Sequence, residues 1–315
     1  MKFTSLLLAL ALLSMVYRLP PPAEPVTLLF VGDIMLSRRI GAIMAEKNDW
    51  TYPFLQISDA LKRADLVFAN LESPISSRGT RMGSIYSFRA DPRAVAGLSS
   101  AGIDVVSLAN NHVWDYGPEA LGETLDTLRS AGIDYIGAGV NYAAAHEPVI
   151  KDVRGTKIAF WGYTNLVPVG ATVEKSAPAV AFLDLKQVIP DIARAKERAD
   201  IVIVSFHWGN EYETKHNQKQ AEIAYAVIDA GADLVIGHHP HVRQEVEKYH
   251  GGYIAYSLGN FVFDQNFSAD TRTGLMLKVI LKNKKIDQVE EQKIKFTSTY
   301  QPYMLRADLM GEYKL

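Results

Sequence analysis

An α/β layered fold with parallel strands follows from three features of this chain. Apolar strand-like runs alternate with helical patterns, a glycine-bearing junction recurs between them, and polar residues gather where the runs end.

The strand-like runs are 26–31, 66–69, 105–109, 158–161, 201–206, 234–236 and 253–258. They are apolar throughout rather than alternating, as expected of strands covered on both faces. Helical patterns fall between them, for example over 118–130 and 218–229. The junction is Ala101-Gly-Ile-Asp104, Ala131-Gly-Ile-Asp134 and Ala230-Gly-Ala-Asp233. Glycine there suits the left-handed residue that ends a helix, and the next strand begins at once. The irregular spacing of these junctions excludes a solenoid. Beyond Gly274 the runs 275–281 and 287–296 read as an antiparallel extension, and 73–89 reads as a long loop or hairpin near the site.

The chain has 315 residues, 48% hydrophobic and 22% charged, with mean hydropathy −0.01. That is enough to bury the core of one large domain, placed at 26–315. A net charge of −2 shows no basic excess, which argues against a nucleic-acid partner. Cysteine is absent, so there is no disulfide, thiolate metal site or thiol nucleophile, and any metal must be held by His, Asp, Glu or Asn.

Residues 1–25 read differently. Lys2 precedes an apolar run over 6–17, closed by Arg18 and a spacer containing Pro20, Pro21, Pro22 and Pro25. A basic start and a short apolar stretch indicate a secretory signal or a signal anchor. The run is shorter than the roughly 20 residues of a spanning helix. No small-x-small cleavage triplet precedes the prolines, which favours an uncleaved anchor. The expected location is the extracytoplasmic face of the cell membrane, or secretion if the signal is cleaved.

Polar residues follow the strands in a pattern. Asp33 follows the first; Asn70 and Glu72 the second; Asn110, Asn111 and His112 the third; His207 the run 201–206; His238, His239 and His241 the run 234–236; Asn260 and Asp264 the run 253–258. In open α/β sheets ligands bind beyond the C-terminal strand ends, so parallel strands bring these groups to one edge. Carboxylate, amide carbonyl and neutral imidazole together suit a divalent Zn, Mn, Fe or Ni ion. Two such ions about 3.5–4 Å apart can clamp the oxygens of a displacement at phosphorus, with a nearby unliganded His as proton donor. Singly, most of these residues have plainer explanations: Asp33 as a cap or Asx turn, side-by-side amides as turn formers, His207 as a bonded core residue. Gly237-His-His-Pro-His241 does not, because three imidazoles within four residues after an apolar strand have no ordinary structural use. His146, His216 and His250 read as surface residues. Trp114, Tyr116, Trp208, Tyr212, Arg38, Arg39 and Arg89 could line a groove for an anionic chain, although Trp and Tyr are often half-buried beside any cleft.

The motifs Gly32-Asp-Ile-Met-Leu36, Asn70-Leu-Glu72, Leu108-Ala-Asn-Asn-His112 with Asp115 and Gly117, His207-Trp-Gly209 with Glu211-Tyr212, Gly237-His-His-Pro-His-Val242 and Ser257-Leu-Gly-Asn-Phe261 occur in that order. Together they resemble the bacterial capsule-synthesis family of CapA and PgsA proteins, within the calcineurin-like metallophosphoesterase superfamily, over about 26–263. The resemblance implies two packed mixed β-sheets flanked by helices, a four-layer αββα sandwich. It implies Asp33, Glu72, Asn111, His207, His239 and His241 as ligands of one or two divalent metal ions, and His112 as the catalytic histidine. Asn70, Asn110, Trp208, Glu211, His238 and Asn260 are expected at the substrate. Two positions depart from the superfamily pattern. Met35 stands where a ligand His is usual, leaving one metal position a ligand short, and Glu72 replaces a bridging Asp.

The expected function is therefore poly-γ-glutamate capsule synthesis or export with a hydrolase-like metal site, acting on an anionic polymer beside membrane synthase or exporter subunits. A non-catalytic, polymer-binding subunit of that machinery is the alternative, motivated by Met35. A housekeeping phosphatase on nucleotides or lipids fits less well, given the expected export.

Overall fold

Each apolar run becomes a strand in the computed structural model, which describes residues 24–172 and 174–305. The segment read as a signal or anchor lies outside the described residues except for Glu24 and Pro25. Among the described residues no helix is long and apolar enough to cross a membrane.

Strands β1 (Val26–Ile34), β2 (Leu66–Leu71), β3 (Val105–Ser107) and β4 (Asp134–Ile136) lie side by side and parallel. The chain then passes through the short β5 (Ala138–Gly139) to a second sheet. That sheet holds β6 (Val149–Val153) and β7 (Thr156–Thr164), and after β8 (Ala179–Val180), which pairs with β5, also β9 (Ile201–His207), β10 (Leu234–His238), β11 (Val246–Tyr249) and β12 (Gly252–Ala255). Its order is β11-β12-β10-β9-β7-β6, with β12, β10, β9 and β7 parallel. The chain returns to the first sheet with β13 (Asn260–Val262), β14 (Thr273–Lys282), β15 (Lys285–Phe296) and β16 (Pro302–Met304). The first sheet runs β16-β15-β14-β1-β2-β3-β4, with β13 paired to β1; β14 and β15 form the expected antiparallel extension.

Alternate side chains sort into three apolar layers. Leu28, Phe30, Leu66, Phe68 and Val105 of the first sheet meet Phe160, Ile201, Ile203, Leu234 and Ile236 of the second. Phe68 stacks on Phe160 at 5.9 Å and tilts against Phe30 at 5.8 Å. The opposite face of the first sheet, including Leu29, Val67 and Val106, packs on Leu98, Leu121 and Leu125 of its helices. The opposite face of the second, including Ala159, Val202 and Val235, packs on Val188, Ile192, Ile223 and Val227. The result is helix, sheet, sheet, helix, the four layers expected. The junction glycines carry positive φ as their sequence context required: 79° at Gly102, 72° at Gly132 and 117° at Gly231.

One irregularity positions the site. The β1–β2 pairing slips between Phe30 and Asp33, a β-bulge at Val31-Gly32. Before it, even-numbered residues of β1 face the sheet–sheet layer; after it, Ile34 and Leu36 join the helix-side core. The extra residue thus turns Asp33 toward the interface between the sheets, which strict alternation would have denied it. Gly32 is required there, because a Cβ would lie 1.8 Å from the Gly259 carbonyl oxygen.

Candidate metal centre

Continuing the inward phase of each strand past its apolar section reaches a polar residue. On β2 the series Leu66, Phe68 leads to Asn70 and Glu72; on β9 Ile201, Ile203 leads to His207; on β10 Leu234, Ile236 leads to His238. These groups cap the sheet–sheet layer at the C-terminal strand ends. All four are buried, as is Asp33.

Two trios of ligand atoms converge, each within 4.8 Å: Asp33, Glu72 and His241, and Glu72, His207 and His239. Glu72 belongs to both. Its Oε1 lies 3.7 Å from His207 Nε2 and 3.6 Å from His241 Nε2, and it has no hydrogen-bond partner. Those separations are too long for hydrogen bonds, but donors at about 2.1 Å around one tetrahedral ion stand roughly 3.4 Å apart. Asn111 Oδ1 is 2.7 Å from His207 Nε2, beside the second trio. Glu72 is therefore placed between two positions, with donors of the two sheets on either side.

The electrostatics fit a cation. Burial pushes the Asp33 carboxyl up, but the imidazoles of His238 and His241 outweigh it and hold Asp33 well below the usual range. Glu72 goes the other way: burial, then the charges of Asp33, Glu211 and Asp115, push it well above the usual range. Burial holds His207 well below its ordinary value, reinforced by His239, and lowers His239 to about 3 with help from His241. Neutral imidazoles beside crowded carboxylates are the protonation pattern of a metal site without its ion. The orphaned Glu72 Oε1 and His239 Nδ1 supply buried donors that nothing in the protein satisfies. This donor set, oxygen and nitrogen without sulfur, fits divalent metal.

Positioning comes from the loops. Asn110 Oδ1 accepts from the backbone N–H of His112 (3.1 Å) and Val113 (2.9 Å), while its Nδ2 donates to Leu71 O (2.9 Å) and Asn70 Oδ1 (3.2 Å). That bracket presents Asn111 and His112. Asn70 Nδ2 donates to Asp33 Oδ1 at 2.9 Å and Glu72 Oε2 at 3.3 Å. Asn260 Oδ1 lies 3.0 Å from His241 Nδ1, and Asn260 Nδ2 donates to Thr271 O. His239 and His241 sit at φ 97° and 57°, conformations that cost about 1–3 kcal/mol each and concentrate at functional sites. His112 Nδ1 pairs with Asp115 Oδ2 at 2.8 Å, and the Phe88 ring packs on His112 at 4.0 Å.

Five residues expected to touch substrate are placed otherwise. Asn70, Asn110 and Asn260 are buried and spend their amides orienting neighbours. Trp208 is fully buried, stacks on Phe206 at 4.7 Å and donates its indole N–H to Tyr256 O, so it belongs to the helix-side core. His238 is fully buried; its Nδ1 is 3.2 Å from Asp33 Oδ1 without hydrogen-bond alignment. Glu211 alone of the six is exposed. His146 is buried, not a surface residue, with Nδ1 on Tyr142 O. Of the expected groove residues, Arg38 pairs with Asp264 and lies over Phe88 at 4.9 Å, and Arg89 lies over Tyr116 at 4.1 Å. Arg39 pairs with Glu46 on the exposed surface, and Trp114 is buried. Sequence reasoning missed the partnership of Asp115 with His112, although the three-residue spacing was the available signal. A cavity of about 500 Å³, lined in part by Tyr142, His146, Trp161 and Gln187, lies apart from this cluster. Among the described residues the metal-compatible groups all belong to the strand-end cluster, which is the site the chemistry favours.

Two packed mixed sheets between helix layers, with carboxylates and imidazoles at the shared strand ends, define a four-layer α/β protein with a divalent-metal-compatible cluster at one sheet edge. A hypothetical protein of Thermus thermophilus, known from its crystal structure, has the same fold, with a TM-score of 0.52 at 19% identity over 89% of this chain and 98% of that one. The family described as "Bacterial capsule synthesis protein PGA_cap" matches residues 27–265, and the chain belongs to it. The capsule biosynthesis protein CapA of Bacillus anthracis is 35% identical over 261 residues, 80% of this chain and 63% of that relative. The PGA biosynthesis protein CapA of Bacillus subtilis (strain 168) is 35% identical over 257 residues, 81% of this chain and 67% of that one. The aligned part of the chain thus spans about two thirds of these relatives.

Proposed function

We propose that this protein is a metal-dependent hydrolase of capsule or cell-envelope polymer metabolism, held by its N-terminal segment at the extracytoplasmic membrane face. The observation that carries the reading is the pair of ligand trios sharing Glu72, with the His112–Asp115 pair alongside. Asp33, Glu72 and His241 would hold one ion; Glu72, Asn111, His207 and His239 the other. Ions there would polarise the reacting oxygens and activate water.

The chain's own groups supply the rest. Asp115 accepts the Nδ1 proton of His112, fixing the tautomer and stabilising the ring when charged. His112 Nε2 is then the proton donor to a leaving group. Asn70 and Asn260 hold the ligands in register, and Phe88 limits water at the His112 ring. An anionic polymer such as poly-γ-glutamate is the favoured substrate, a choice the relatives' names as capsule and PGA biosynthesis proteins support, and membrane synthase or exporter subunits are the partners proposed with it.

The test is turnover of γ-glutamyl polymers and of phosphoesters by the full-length, metal-loaded chain, with His112→Ala beside it. The reading expects activity that His112→Ala abolishes while metal content is unchanged. A fully metallated protein inert toward both would sink it and favour a non-catalytic binding subunit.

A further inference from the structure

Met35 stands where the superfamily resemblance expects a ligand His, and its side chain faces away from the cluster. It is fully buried against Phe88 and Phe263, and its sulfur accepts from Ser37 N (3.2 Å) and Oγ (3.0 Å). The missing donor must come from elsewhere or not at all.

A third trio answers this. Glu211, His239 and His241 place one ligand atom each within 4.8 Å of one another. The two histidines belong one to each of the other trios, so Glu211 stands beside a ligand of each position. It does so from the exposed side, whereas Glu72 approaches from the buried side. The approach is built into the backbone. Gly209 and Tyr212 adopt φ of 85° and 67°, and Tyr212 N donates to Pro240 O at 2.8 Å, fastening the turn that carries Glu211 to the His239-Pro240-His241 loop. Gln265 Nε2 donates to the Tyr212 hydroxyl, and Phe267 packs edge-on to its ring at 5.0 Å, which steadies the turn from the other side. An independent sign that a cation belongs here is His239 Nδ1, buried and without a partner in the protein.

We infer that Glu211 is a metal ligand, closing the pair of ions from the solvent side and replacing the donor lost at Met35. The inference rests on the metal-centre reading above. A carboxylate in that place leaves the first position with Asp33, Glu72, His241 and Glu211, an oxygen-rich set that favours Mn or Fe over Zn. It would also make the rim of the site part of the metal shell rather than a surface for substrate.

The experiment measures metal per chain after dialysis, and affinity by competition with a chromophoric chelator, on the full-length protein. Wild type is compared with Glu211→Gln, with Met35→His/Glu211→Gln and with His239→Ala; circular dichroism checks folding, which an exposed Glu-to-Gln change leaves intact. The expected result is two ions in wild type, one of them lost or weakened about tenfold or more in Glu211→Gln. Restoration by Met35→His would establish that the two positions serve the same ion. If Glu211→Gln binds like wild type while His239→Ala loses metal, the inference is wrong and the metal centre stands. If wild type binds no metal and His239→Ala changes nothing, both fall.

Discussion

Asn110 and Asn111 are neighbours of identical chemistry, and the structure gives them opposite work. Replacing Asn110 by Ala removes the acceptor of two buried backbone N–H groups, His112 and Val113, and the donor to Leu71 O. Each buried donor left unsatisfied costs about 1–3 kcal/mol, so Asn110→Ala should destabilise the metal-free protein by about 2–6 kcal/mol. For a domain of this size that is a fall in Tm of roughly 5–20 °C. Asn111 is only half-buried, and its side-chain oxygen pairs with His207. Asn111→Ala should cost the metal-free protein about 1 kcal/mol or less, yet lower metal affinity by roughly 10–100-fold. Urea unfolding in excess EDTA, paired with chelator competition on the untreated proteins, separates the two effects. The reasoning is refuted if chelated Asn110→Ala is as stable as its parent, or if Asn111→Ala is the variant that unfolds first.

Chelation itself should lower stability. An ion at 100 times its Kd contributes about 2.7 kcal/mol, so EDTA should drop Tm by roughly 5–10 °C, and an unchanged Tm would mean that no ion was bound. Trp208→Phe forfeits the indole bond to Tyr256 O and should cost about 1–3 kcal/mol with metal content untouched; loss of metal in that variant would return Trp208 to the site. Gly32→Ala drives a methyl into the Gly259 carbonyl and should destabilise by about 1–3 kcal/mol or more while weakening metal binding through Asp33. A neutral result by calorimetry would remove the close approach from the account of the bulge.

The layers were legible because short apolar runs rich in β-branched residues, such as 201–206, read as strands covered on both faces, and the junction glycines announced three of the helix ends. The site's membership was legible because polar residues just beyond such runs share one edge whenever the strands are parallel. Which of them do chemistry and which hold others in place was not. Asn110 and Asn111 look alike until the loop closes, and Trp208 next to His207 points to the opposite face of the sheet by simple alternation. The bulge that re-aims Asp33 leaves only Gly32 as a trace, and the approach of Glu211 to His239 and His241 depends on a contact between two loops that no local pattern encodes.

The candidate donors come from both halves of the molecule: Asp33, Glu72 and Asn111 from the first sheet and its loops, His207, Glu211, His239 and His241 from the second. Elsewhere the sheets meet through close-packed hydrophobic contact such as Phe68 on Phe160. An ion gripped from both sides acts as a rivet at one edge of that seam, in a chain with no cysteine to make a covalent one. Stripping the metal would therefore do more than silence chemistry. It would leave buried carboxylates and imidazoles facing one another across the seam with nothing between them, so that this edge becomes the first place where the two sheets part.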